Sequence, residues 1–280
     1  MKSVIRFIII CLLFFSPIAL YYSLKTFWLL KDDKYKLSIH GSEVYHAIDK
    51  SKKKTTYKKL ILGDSTAKQF YDSEEKDTAD FYALCCSQAI GIIGQYFLLN
   101  NYLNAGNRPD TVYLVYNPLS FADNLDQVYT YHYFLKPFYR SEYKPLFTQC
   151  ARYQIHKIPK YWACQFPYIL TSGWAPLIEQ EQRGYSFISP VSREYLQKID
   201  SLSYHYHFVF KILPSLTAEH WKSRIKSFNH QEFADYRFKD KLSAYLNQIT
   251  YLPDSCFIDS VHLKSPELYR QAIDRKLRLR

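Results

Sequence analysis

The sequence predicts an α/β fold in which a doubly wound parallel sheet carries helices on both faces, and three observations predict it. Leu60-Ile61-Leu62 is a contiguous apolar run, as expected of a strand buried on both faces of a parallel sheet. Ile90 to Leu103 then carries apolar residues at helical spacing, and Asp110 to Tyr116 returns as a strand. Such alternation of strand and helix is typical of parallel sheets covered by helices.

The N-terminus carries a different signal. Phe7 to Leu24 is uncharged and long enough to cross a membrane, and Lys2 and Arg6 precede it. We expect residues 1–30 to form a transmembrane signal anchor; a cleaved signal peptide is the alternative, although the run is long for one. The basic residues before the run favour an extracytoplasmic domain, on the periplasmic or outer face, whereas the lysines after it favour the opposite orientation.

A basic linker is expected over residues 31–56, with a helix from about Glu43 to Thr56. Residues 57–280 then form one domain, because 48% hydrophobic content and this length suit a single α/β core. Residues 118–190 break its rhythm and are read as a helical, aromatic-rich insertion over the carboxyl ends of the strands. The rings could form a platform for sugars or acyl chains, or they could be the insertion's own core or lie against the bilayer.

The most informative motif is Leu62-Gly63-Asp64-Ser65. It follows the first strand, and the residues after it are compatible with a helix, so Ser65 would lie at a strand-to-helix turn near the first N–H groups of that helix. A serine hydroxyl needs an imidazole in hydrogen-bond reach before it can act as a nucleophile.

A second motif, Asp259-Ser260-Val261-His262, lies near the C-terminus, after the apolar Cys256-Phe257-Ile258. Ser265-Pro266 follows and is typical of a helix start. Asp259 and His262 share one loop, so the carboxylate can fix the tautomer of the ring. We predict a triad of Ser65, His262 and Asp259, with Ser65 Oγ within about 4 Å of a ring nitrogen.

These two motifs resemble the SGNH (GDSL-type) hydrolase superfamily, in which a GDS serine follows the first strand and a D-x-x-H loop lies near the C-terminus. The resemblance implies a flavodoxin-like doubly wound sheet. It also implies an oxyanion hole built from the backbone N–H of Ser65, a side-chain Asn after a strand and a Gly-block N–H. Asn117 is the candidate Asn, although Pro118 stands where the family has Asp, and the backbone of either Gln88 or Gly91 could supply the last donor.

Membrane-anchored relatives in this superfamily work on O-acyl groups of cell-envelope polysaccharides, often beside a membrane-bound O-acyltransferase. The resemblance therefore implies an esterase or O-acyltransferase that acts on acyl, above all acetyl, esters of an envelope glycan, without a cofactor. The triad does not separate the two activities. A catalytically inactive scaffold or a glycan-binding protein of an acylation complex is the alternative.

The later part of the chain predicts further elements in order. Ser189-Pro190 opens a helix through Ile199, and Tyr204 to Leu213 reads as a strand. Ala218 to Phe228 and Gln231 to Leu246 read as helices that lead to a final strand before the Asp259 loop.

Other residue patterns exclude further classes of function. His205 and His207 on the predicted strand lack a third ligand, so no metal site is assigned. The six cysteines indicate buried thiols, with Cys150 and Cys164 as the one pairing to examine. The formal charge of +11 is explained by contact with membrane headgroups, because no nucleic-acid-binding motif accompanies it.

Overall fold

The computed structural model describes residues 2–29, 41–74, 77, 80–165 and 184–278 of the chain. Its main body is mixed α/β, built on a parallel sheet of four strands. The strands are β1 (Lys59–Gly63), β2 (Tyr82–Ala83), β3 (Thr111–Tyr116) and β4 (Val209–Pro214). Their order is β2-β1-β3-β4, so β1 and β3 are the central strands.

Both faces of this sheet are covered. Leu60 and Leu62 of β1 and Leu114 of β3 belong to one apolar core, whereas Ile61 and Tyr113 belong to a second core on the opposite face. Alternate residues of the central strands therefore point to different cores, and each is buried. This explains why the strands read as continuous apolar runs in the sequence.

Helices α2 (Ser42–Ser51), α4 (Gly91–Asn104) and α7 (Pro190–Tyr206) pack in the larger core. The bounds of α4 and β3 agree closely with the elements predicted from periodicity. The α2 helix lies in the stretch expected to be a linker, yet its Val44 and Ala47 are fully buried, so this helix is part of the packed body. Residues 31–40 of the predicted linker lie outside the described residues.

The described part of the insertion consists of short pieces: a π-helix at Tyr131–Leu135, α5 (Lys136–Phe138) and α6 (Gln149–Lys157), with 3₁₀ turns between them. Four of its aromatic rings are buried around Phe97 of α4. Rings within 6.2 Å of the Phe97 ring, centroid to centroid, include those of Phe134, Phe138, Tyr143 and Phe147. These four rings form a core of the insertion rather than an open platform, whereas Tyr129, Tyr153 and Trp162 remain exposed. Trp174 lies outside the described residues.

The predicted strand from Tyr204 to Leu213 is wrong in its first half. The α7 helix continues to Tyr206, and His207 ends it in the left-handed conformation with a φ of 59°. The alternation of aromatic and His residues resembled a strand, but buried Tyr195, Ile199 and Ser203 continue the helical period toward that end. His205 is therefore a helix residue and His207 a helix cap.

The C-terminal part contains a second, two-stranded parallel sheet of β5 (Thr217–Ala218) and β6 (Tyr251–Leu252). The helices are α8 (Lys222–Lys226), α9 (Lys239–Leu246) and α10 (Glu267–Arg278). The final strand predicted before the Asp259 loop is β6, but the apolar Cys256-Phe257-Ile258 next to that loop does not extend it: a 3₁₀ turn covers Asp254–Cys256, after Pro253 has ended β6. A three-residue apolar run is too short for its period to distinguish these states.

The N-terminal helix α1 (Lys2–Leu29) packs against nothing in the described body. Within the described residues it is the one helix long and apolar enough to cross a membrane, and its apolar side chains are exposed. A signal sequence meets the same criteria of length and composition.

Candidate active site

The turn after β1 places Ser65 at the first position of a short helix, α3 (Ser65–Lys68). Gly63 makes the close approach possible, because a Cβ atom there would lie 2.6 Å from the Val115 carbonyl oxygen and 2.4 Å from Ala67 Cβ. Asp64 then caps α3: its Oδ1 accepts hydrogen bonds from the backbone N–H groups of Thr66 and Ala67. Ser65 is thereby held at the carboxyl end of a central strand.

The loop around His262 is fixed by its own hydrogen bonds. Asp259 Oδ1 accepts from the backbone N–H of Val261 at 3.2 Å and of His262 at 2.8 Å. The N–H of Ile258 donates to the His262 carbonyl at 2.7 Å, and Ser260 takes a φ of 64° at the tip. A polar turn of this kind places the Asp259 carboxylate beside the His262 ring, three positions later.

The structure brings Ser65, His262 and Asp259 together. His262 Nε2 lies 2.9 Å from Ser65 Oγ, within the distance predicted from the sequence, although 197 positions separate the residues. His262 Nδ1 lies 2.8 Å from Asp259 Oδ2. An ionised carboxylate can only accept, so Nδ1 carries the hydrogen and Nε2 is left as an acceptor for the serine O–H.

Asp259 is suited to remain ionised in this arrangement. Burial alone would raise the pKa of its carboxyl, but hydrogen bonds from the His262 side chain and from the N–H groups of His262 and Val261 outweigh burial and lower that pKa. The side chain of His262 is 32% exposed, so its ring faces both the serine and solvent. A water molecule or a sugar hydroxyl can therefore approach it.

Asn117 is linked to the turn that carries Ser65 through Asp64, not through Ser65 itself. Its backbone N–H donates to Asp64 Oδ2 at 2.8 Å, and its side-chain Oδ1 accepts from the Leu119 N–H at 2.9 Å. With the oxygen engaged, the NH₂ of the same carboxamide is its remaining donor. Pro118 is the first residue of a 3₁₀ turn that Asn117 caps.

The other two oxyanion candidates are not joined to the triad by any hydrogen bond among the described residues. Gln88 begins a 3₁₀ turn, and Gly91 begins α4 with a φ of 59°. A Cβ atom at Gly91 would lie 3.1 Å from Asp123 Oδ2. Both residues lie at the entry into α4, so neither is singled out as an oxyanion donor. The backbone N–H of Ser65, the first residue of α3, has no intrahelical acceptor and is free to donate.

Sequence reasoning missed three residues that support the site. Gln95 of α4 is fully buried and donates from Nε2 to the Gly63 carbonyl at 2.8 Å. Gln69, one turn after Ser65, bonds the backbone of Leu263, and Trp221 Nε1 donates to the Ser260 carbonyl at 3.1 Å. A polar residue on the apolar stripe of α4 was the available signal for Gln95; nothing local marked the other two.

Trp221 is itself held by a neighbouring pair. His220 Nδ1 lies 2.8 Å from Asp254 Oδ1, which also accepts from the backbone N–H of His220. Hydrogen bonds from the His220 side chain and backbone lower the pKa of Asp254. Because His220 follows β5 and Asp254 follows β6, this pair joins the ends of the two strands of the small sheet.

Neither histidine considered as a metal ligand lies in a suitable cluster. His205 and His207 lie at the end of α7, and the described residues contain no group of three or more His, Cys, Asp or Glu side chains that could hold a metal ion. Cys150 and Cys164 are free thiols in this structure.

No family model and no curated protein matches the chain. A solved structure described as "The structure of a putative platelet activating factor from Streptococcus pneumonia" is 13% identical, with 94% of this chain and 99% of that chain covered and a TM-score of 0.37. A likeness at this level assigns neither an activity nor a fold. The chemistry of the site therefore has to be derived from this chain's own residues.

Proposed function

We propose that the chain is a membrane-anchored serine esterase or O-acyltransferase that acts on acyl, above all acetyl, esters of a cell-envelope polysaccharide. The observation that carries the proposal is the line of contacts from Ser65 Oγ to His262 Nε2 and from His262 Nδ1 to Asp259 Oδ2. The order of the parallel strands, with Ser65 directly after β1, supports a doubly wound SGNH-type fold as the scaffold of this site.

The proposed reaction has two steps. Ser65 Oγ attacks the ester carbonyl while His262 Nε2 takes the serine proton, and the resulting oxyanion is stabilised by the Ser65 N–H and the Asn117 NH₂. The ester bond then breaks, the leaving alkoxide receives the proton from His262, and an acyl-serine remains. Asp259 orients the ring and stabilises its charged form throughout.

The second step decides between the two activities. Water attacking the acyl-serine gives a hydrolase, and a sugar hydroxyl attacking it gives a transferase; in both, His262 takes the proton of the acceptor and returns it to Ser65 Oγ. The partial exposure of His262 supports access for either acceptor. A membrane-bound O-acyltransferase is the partner we propose for supplying acyl groups in the same membrane.

Placement at the membrane rests on α1. Lys2 and Arg6 precede the apolar run, which supports an anchor with its N-terminus inside and the domain on the periplasmic or outer face. A reporter enzyme that works only outside the cytoplasm should be active when it is fused after Arg280. Activity of a reporter that works only in the cytoplasm would contradict the proposal of an envelope polysaccharide as substrate, but not the proposed triad.

A scaffold or glycan-binding protein is the second candidate, and one observation favours it: the Asn117 side-chain oxygen is engaged by the Leu119 N–H and its backbone N–H by Asp64, so no hydrogen bond of Asn117 with Ser65 or His262 fixes an oxyanion hole among the described residues. The two candidates differ in turnover. Full-length protein in detergent is incubated with p-nitrophenyl acetate, with and without an envelope glycan acceptor, and compared with Ser65→Ala. Turnover that depends on Ser65 supports the enzyme, acetyl transfer to the glycan supports the transferase, and equal background rates support the scaffold.

A further inference from the structure

Gln69 forms a two-point link between the helix that carries the serine and the loop that carries the histidine. Its Nε2 donates to the Leu263 carbonyl at 3.0 Å, and its Oε1 accepts from the Leu263 N–H at 2.9 Å. We propose that Gln69 is a positioning residue that holds His262 in register with Ser65. This inference rests on the function proposed above.

The spacing of the four residues supports this role. Ser65 is the first residue of α3 and Gln69 caps its C-terminal end, four positions later, so the two side chains lie on the same side of this helical turn. His262 and Leu263 are consecutive in the loop. The contact of Ser65 with His262 and the contact of Gln69 with Leu263 therefore lie side by side. The Gln69 contact fixes the position of His262 along α3 relative to Ser65.

Besides the packing of Leu263 in the second core, this link is what joins the loop to α3 by hydrogen bonds. The hydrogen bonds within the loop fix Asp259 relative to His262, but they do not fix either residue relative to Ser65. Trp221 fastens the other end of the loop at Ser260. Among the described hydrogen bonds, those from residues 65–69 to this loop are the Ser65 contact itself and the two of Gln69.

The carboxamide is chemically matched to this task. A backbone N–H and a carbonyl on one residue require an acceptor and a donor side by side, which Gln supplies and Glu does not. In a Gln69→Glu variant, the second carboxylate oxygen would face the Leu263 carbonyl and repel it. Since Gln69 is placed against the backbone of the loop, its loss should displace the ring without removing a group that binds substrate.

The test compares Gln69→Ala and Gln69→Glu with Asn101→Ala, a matched control. Asn101 also donates two hydrogen bonds, to Ser51 Oγ and to the Tyr143 hydroxyl, but it lies in α4 in the other core. The readouts are kcat and KM for p-nitrophenyl acetate, the rate of labelling by a serine-directed phosphonate, and the melting temperature, all on the full chain in detergent.

We expect both Gln69 variants to lose on the order of a hundredfold in kcat and in labelling rate, with KM nearly unchanged, because a misplacement of about 1 Å has this cost. Asn101→Ala should keep its kcat at a similar loss of melting temperature. If wild type is active and labelled while either folded Gln69 variant matches Asn101→Ala in kcat, the positioning role is wrong. If wild type is neither active nor labelled, the proposed function fails and the role fails with it.

Discussion

The carboxylate of Asp64 joins the turn that carries Ser65 to the loop after β3, because its Oδ2 accepts a hydrogen bond from the backbone N–H of Asn117 at 2.8 Å. The same oxygen accepts from Ser120 Oγ at 2.7 Å, while Oδ1 caps α3. Asp64 is fully buried. A buried carboxylate with this number of donors around it fixes the relative position of two loops that both border the triad.

Asp64→Asn should destabilise the protein by about 3 kcal/mol, because the NH₂ of the new carboxamide faces donors and leaves buried N–H or O–H groups unsatisfied. Labelling by the phosphonate should fall as well, since one carboxamide oxygen cannot accept from both α3 and the loop after β3 as the carboxylate does. Urea unfolding of the variant measures the first effect. The exposed Asp240→Asn change is the control, and an equal free energy of unfolding for both variants would contradict the assignment.

Gly63→Ala should be strongly destabilising, by about 3 kcal/mol, because a Cβ atom would overlap the Val115 carbonyl oxygen of the neighbouring strand. Gly184→Ala is the matched control, since nothing lies within 4 Å of a Cβ atom there. Thermal unfolding of both variants tests the close approach. A Gly63→Ala protein as stable as Gly184→Ala would show that β1 and β3 are not packed as described.

The comparison of sequence and structure separates local from distant information. Strand β1, the turn at Ser65 and the Asp259 loop are set by neighbours in sequence, through apolar runs, capping residues and a polar turn. The approach of His262 to Ser65 could be predicted because both motifs were specific in type and in order. Gln69 and Trp221 could not be found, because their partners are backbone atoms of a distant loop, which leave no mark on the side-chain sequence.

Errors occurred where a short pattern had two solutions. Residues 204–208 alternate as in a strand. The helix nevertheless continues through Tyr206, because its buried face, with Tyr195 and Ile199, keeps it packed on the core. The aromatic residues of 118–190 were ambiguous between platform and core, because composition does not reveal which way a ring points. Burial around Phe97 decides for the core in the case of Phe134, Phe138, Tyr143 and Phe147.

Asp259→Asn should be milder than His262→Ala. In triads of this type loss of the carboxylate costs on the order of 10⁴-fold in kcat and loss of the histidine on the order of 10⁶-fold, because the histidine moves the proton while the carboxylate orients it. Steady-state hydrolysis of p-nitrophenyl acetate gives both values. A reversed order, with Asp259→Asn the more damaging change, would contradict the assigned roles.

Glu232 should make stability depend on acidity. Burial alone would raise the pKa of its carboxyl, but hydrogen bonds from the N–H groups of Ser186, Ile188 and Phe187 outweigh it and lower that pKa below 4.5. Folding therefore favours the ionised form of Glu232. Its contribution to the free energy of unfolding is present above pH 4.5, the ordinary pKa of the group, and is lost as the pH falls through the lower pKa of the native state.

Glu232→Gln should accordingly lose about 1–2 kcal/mol at about pH 7, and the difference from wild type should shrink as the pH falls below the ordinary pKa of a glutamate carboxyl. Urea unfolding across this range measures it, with the exposed Glu267→Gln as control. A deficit that stays constant with pH would show that the carboxylate charge is not what holds residues 186–188.

The central claim, that Ser65 is the nucleophile, is tested most directly by locating a serine-directed phosphonate on the labelled protein by mass spectrometry. Trypsin releases residues 60–68 as one peptide, in which Ser65 is the one serine. The account predicts that this peptide carries the label in wild type, that Ser65→Ala abolishes labelling, and that the melting temperature of the variant is nearly unchanged. Labelling at another residue, or labelling of Ser65→Ala equal to that of wild type, would contradict it.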